Sequence, residues 1–96
     1  MSTSSNNTGQ LSAGSYLIAT GKNRLNALSV VGDGTNAGTV TIYDNTTASG
    51  KIIAQGLTRT TDVQQHIIFT NPVYAEIGLY VVVGGTNCKA IVYFGA

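Results

Sequence analysis

The feature that most constrains this chain is its punctuation. From Leu11 onward, short runs rich in Val, Ile, Thr and Tyr stop every 11–14 residues, near Gly, Asn, Asp or Pro. The runs cover residues 14–20, 24–31, 39–44, 51–55, 63–69, 77–83 and 88–94. Each is long enough for one strand, and the stops between them supply turn residues. No stretch repeats its apolar residues at the helical spacing for more than a turn. Leu25-Asn-Ala-Leu28 alone has that spacing, and Ser29-Val-Val31 after it favours a strand.

Alternation within the runs assigns faces, because successive strand side chains point to opposite sides. Val40 and Ile42 oppose Thr39, Thr41 and Tyr43. Leu79, Val81 and Val83 oppose Tyr80 and Val82. Cys88, Ala90, Val92 and Phe94 oppose Lys89, Ile91 and Tyr93. The expected fold is all-β: a single small β-sandwich or jelly roll of about seven to eight antiparallel strands. Residues 10–96 form that domain. Residues 1–9 are Ser, Thr, Asn and Gly after the Met, cannot bury apolar area, and are expected to form a flexible N-terminal arm.

Stability is finely balanced at this length. Folding of a 9.9 kDa chain removes about 9,200 Å² from water. With about 60% of that apolar, burial contributes ~140 kcal/mol. Ordering the backbone and side chains costs roughly the same. Cys88 is the only cysteine, so no disulfide within the chain assists. Association with other chains is the remaining common source of stability.

Composition narrows the function. Charged residues make up 9% of the chain, and the net charge is +1, where about 25% charged is usual. A nucleic-acid binder carries a clustered basic face, whereas Lys22, Arg24, Lys51, Arg59 and Lys89 are scattered, so no nucleic-acid partner is expected. The longest apolar run, residues 79–83, is far shorter than the ~20 residues of a membrane-spanning helix, and no membrane partner is expected. The first residues lack the basic start and apolar stretch of a secretory leader, which points to synthesis in a cytoplasm.

Chemistry-bearing residues are few. His66 is the only histidine, stands between Gln65 and Ile67 without the partner that would fix its tautomer, and reads as structural. Cys88 shares a face with apolar residues and reads as core packing. Asp33 precedes Gly34 in a turn rather than heading an oxygen-rich cation loop. The glycine pairs open no helix and cradle no phosphate. No catalytic residue, cofactor or metal set is expected, and the chain reads as a non-enzyme.

The last two runs carry a different signal. Tyr80, Val82, Ile91 and Tyr93 are apolar or aromatic yet fall on faces turned away from the core. The outer face of a monomeric sandwich should be polar. Either the N-terminal strand or a long loop folds over this face, or, as expected here, these four residues form an oligomer interface.

The stretch Gly38-Thr-Val-Thr-Ile-Tyr-Asp-Asn-Thr-Thr-Ala-Ser-Gly50 resembles a recurring pattern of small virion proteins of tailed bacteriophages, in which a strand ending Tyr-Asp leads through an Asn/Thr/Ser loop to a Gly. Asn71-Pro-Val-Tyr, Gly78-Leu-Tyr-Val-Val-Val-Gly-Gly-Thr86 and Ala90-Ile-Val-Tyr-Phe94 resemble the end of the same pattern. The resemblance implies a capsid cement or decoration protein on the head exterior of a virion. Such a protein is a homotrimer and clamps neighbouring copies of the major capsid protein. The polar arm, with Ser2, Thr3, Asn6 and Asn7, is then the expected capsid contact. The alternative is a tail, neck or fibre component that binds a receptor or carbohydrate.

Overall fold

The alternating runs become strands of two packed sheets. The computed structural model describes residues 6–32, 36–58, 64–85 and 87–95, with side chains throughout except at 58, 64–66 and 68–72. Ser2, Thr3, Asp33 and the His66 side chain thus lie outside the described residues. The strands are β1 (Asn6–Asn7), β2 (Gly14–Thr20), β3 (Asn23–Val31), β4 (Gly38–Asp44), β5 (Lys51–Thr58), β6 (Gln64–Ala75), β7 (Gly78–Gly84) and β8 (Lys89–Gly95).

One sheet has the order β1-β8-β3-β6 and the other β2-β7-β4-β5. Every pairing is antiparallel. The first strand pairs with the last, the second with the second-last, and so inward to β4 and β5. A long hairpin rolled across two sheets gives this order, which is that of a jelly roll. The chain is therefore an all-β sandwich, as the run spacing predicts.

The core lies between the sheets. Leu25, Leu28, Val30, Ala90 and Val92 enter from one side, and Val40, Ile42, Leu79, Val81 and Val83 from the other. The accessible surface, 5306 Å², matches the ~5,200 Å² expected of a folded monomer of this mass.

Leu25 and Leu28 are both fully buried although their separation would put them on opposite faces of a regular strand. The register of β3 shifts between Leu25 and Ala27 against both neighbours. This β-bulge at Asn26 turns both leucines inward, so their apparent helical spacing is that of a bulged strand. Opposite it, Ala27 pairs with Ile68 and Leu25 with Val73, so the four residues 69–72 of β6 stand against the single Asn26. Pro72, which cannot donate to a ladder, sits in this irregular stretch. The strand resumes beyond the proline to Ala75 instead of ending at Phe69.

From Asn6 on, the segment expected to be a loose arm is tied to the sheet. Asn6 and Asn7 pair with Phe94 and Tyr93. The Thr8 amide donates to the Val92 carbonyl, and the Val92 amide donates to the Thr8 hydroxyl. Leu11 and Ala90 exchange both backbone hydrogen bonds. Composition alone misses this, because backbone pairing requires no apolar side chain. It covers the β8 edge, which would otherwise present unpaired amides and carbonyls.

Chain crossings between the sheets leave little room. At Gly78 an added Cβ would lie 2.8 Å from the Ala19 carbonyl oxygen and 3.0 Å from that of Asn45. At Gly85, φ is +105° and an added Cβ would collide with the Ala37 carbonyl oxygen. Gly78→Ala should therefore cost about 1–3 kcal/mol of stability, read as a lower urea midpoint with an unchanged m-value. Wild-type stability in this variant would show that the corner has room to relax.

Candidate functional site

Buried charge is the first place to look for chemistry, and Asp44 is the only described acid that is buried (9% exposed). It ends β4, and its carboxylate faces the link between β6 and β7. Oδ1 accepts from the amides of Ile77 (2.8 Å), Glu76 (3.0 Å) and Gly78 (3.3 Å). Oδ2 accepts from the Glu76 amide at 3.1 Å. Burial pushes the carboxyl pKa up, but the amides of Ile77, Glu76 and Gly78 and the nearby Lys51 charge outweigh it and hold it below the usual aspartate value. A carboxylate so engaged is neither a base nor an open ligand. Asp44 clamps the corner where the chain passes from one sheet to the other.

Cys88 is likewise structural. It is buried in the core cluster, and burial raises its thiol pKa against the opposing effects of Lys89 and the Thr39 backbone. Among the described residues, no three of His, Cys, Asp and Glu are grouped to hold a metal ion.

The surfaces of the sandwich are more informative. Tyr80 and Val82 are half-buried on the outer face of the sheet containing β7, and Ile91 and Tyr93 are half-buried on the outer face of the sheet containing β8. The expected four-residue interface is thus two pairs on opposite sides of the molecule. The strands are consecutive in sequence, but the rolled hairpin sends them to different sheets.

Each pair has structural neighbours that alternation did not reveal. On the β7 side, register places Leu17, Tyr80, Tyr43 and Ile52 side by side across β2, β7, β4 and β5. Leu17 is 48% and Ile52 47% exposed. The adjoining row is Ser15, Val82, Thr41 and Gln55, followed by Thr39 beside Leu57, which is 54% exposed. None of these residues is charged. On the β8 side, Tyr93 lies between Asn7 and Ala27, and Ile91 beside Ser29. Of the expected capsid contacts, Asn6 and Asn7 therefore adjoin this second face.

A third feature lies at the end of the sandwich near Asp44. Arg24 pairs with Tyr74 across β3 and β6. With Lys22, Asn23 and Glu76 they line an open cleft of about 270 Å³, and the Tyr74 side chain is 70% exposed. No sequence signal marks it, because its two walls are about 50 residues apart and meet only through the β3–β6 pairing.

The Asp44 clamp sets a pH dependence. A carboxyl with a lowered native pKa contributes its full stabilisation above the ordinary aspartate value of about 4, and that contribution is lost as pH falls through the native value. At neutral pH, Asp44→Asn should lower stability by about 2 kcal/mol, the scale of a hydrogen bond to a charged group. The difference from wild type should shrink in acid. Parallel stability curves for the two proteins from pH 7 down to strong acid would contradict the clamp.

Comparison with family models, with curated proteins and with solved structures finds no match to this chain.

Proposed function

We propose that this protein is a non-catalytic virion structural protein: a cement or decoration protein that binds the outside of a phage head as an oligomer and stabilises contacts between major capsid subunits. The observation that carries the reading is the surface of the jelly roll. Both broad faces present half-buried tyrosines and aliphatic side chains where a solitary sandwich would be polar. The virion-protein resemblance of residues 38–50 and 71–94 gives that surface a setting.

The β8 face is the side assigned to the shell. Tyr93 pairs with Asn7 of β1, so Asn6 and Asn7, the described part of the polar arm, adjoin this face. A protein that binds one state of a shell stabilises that state by mass action. Weak contacts repeated by symmetry add to avidity without a single strong site. Few charged contacts also mean little screening by salt.

The cleft at Tyr74 favours a second reading, that of a tail or fibre component that binds a carbohydrate. An exposed aromatic ring beside an amide, two cations and a carboxylate offers a stacking surface and hydrogen-bonding groups together.

Copy number in purified virions separates the two: hundreds for cement, tens or fewer for a tail part. Heads lacking the protein should break at lower temperature and under milder osmotic shock, and Tyr93→Asp should reproduce that loss. Unchanged head resistance would sink the cement reading, and saturable binding on a glycan array that disappears with Tyr74→Ala would establish the other.

A further inference from the structure

The geometry points to the β7 face as a self-association surface, on which a second copy of this chain packs sheet against sheet about a two-fold axis. The order of side chains across the sheet carries the argument. From β2 to β5 the central row runs Leu17, Tyr80, Tyr43, Ile52: aliphatic, tyrosine, tyrosine, aliphatic. The next row runs Ser15, Val82, Thr41, Gln55: polar, β-branched, β-branched, polar. Both rows therefore have nearly the same character in either direction.

A two-fold axis running along the strands, above the seam between β7 and β4, reverses the row in the partner. Leu17 then faces Ile52 of the second copy, and Tyr80 faces Tyr43. Such isologous contact requires a surface that complements itself after reversal, and these two rows do so. Strands of the two copies stay nearly parallel to the axis, as in aligned sheet packing with a separation of about 10 Å.

Charge agrees with this occupant. No described side chain on the face is charged, so apposing two copies of it buries no ion and brings no like charges together. The arrangement is independent of the cement reading and leaves the β8 face and the N-terminal segment free.

The test is made on the full chain. Sedimentation equilibrium should give twice the 9.9 kDa monomer mass. Tyr43→Asp and Tyr80→Asp should each reduce it to the monomer mass while the far-ultraviolet dichroism stays that of the wild type. Cross-linking then reads the orientation without relying on a disruptive variant. Chains carrying Leu17→Cys, mixed and equilibrated with chains carrying Ile52→Cys, should be joined by a bismaleimide about 10 Å long. Either variant alone should not be joined, because like positions lie at opposite ends of the row, about 14 Å apart in the plane of the sheet. The buried Cys88 is shielded from the reagent. A monomer at every concentration, a trimer, an oligomer that survives both aspartates, or equal cross-linking of the single variants would each overturn the proposal.

Discussion

The sandwich depends on one carboxylate. A jelly roll must carry its chain repeatedly from one sheet to the other, and each passage leaves backbone amides outside the ladders. At the β6–β7 passage those amides belong to Glu76, Ile77 and Gly78, and Asp44 accepts from all three. The neighbouring β2–β3 passage is tied to the same point, since the Gly21 amide donates to the Ile77 carbonyl. Asn23 braces that passage by donating from its side chain to the carbonyls of Thr20 and Gly21. Gly78 permits the close approach, with the Ala19 and Asn45 carbonyls where a side chain would begin. Two crossings and the end of β4 thus share one junction, and the clamp fixes which strand ends meet there.

This junction also decides what the surface offers. It holds Asn23 next to Ala75, and the register carried from there places Arg24 against Tyr74 and opens the cleft between them. On the other sheet, Asp44 sits opposite Lys51, which sets Tyr43 against Ile52 one step further in. The central row of the β7 face is therefore anchored at the same end as the clamp.

The fold was legible in the sequence because punctuation and alternation are local properties. Val40, Ile42, Leu79, Val81 and Val83 could be assigned to the core from period two alone, and all are buried. What escaped has specific physical causes. Alternation gives the side of a strand but not the sheet it joins, so Tyr80 and Ile91 could not be separated until the pairing order was known. Leu17 and Ile52 were hidden by bulges. The register shift between Leu17 and Ala19, and that on β5 beside Tyr43, alter which residues share a face. The doublet Ile52-Ile53 is apolar at both parities and carries no directional information. The pairing of Asn6 and Asn7 with β8 has no signal in the sequence, because polar composition says nothing about backbone pairing. Nothing local in the sequence marks the role of Asp44, because the amides it accepts from lie more than 30 residues along the chain.

Low charge takes on a different meaning once the charges are located. Lys22, Arg24, Asp44, Lys51 and Glu76, five of the nine in the chain, fall at the junction end of the sandwich. Lys89 lies at the other end of β8, where its ammonium donates to the Ser12 hydroxyl. Among the described residues the β7 face between these ends has none. The described charges gather where strands turn and leave that sheet face bare. Repulsion between copies is then smallest where that face is apposed, and apolar area is available in the same place. The two terms favour the same geometry, so the distribution of the described charge, more than its amount, is what supports the β7 face as the proposed surface for a second copy.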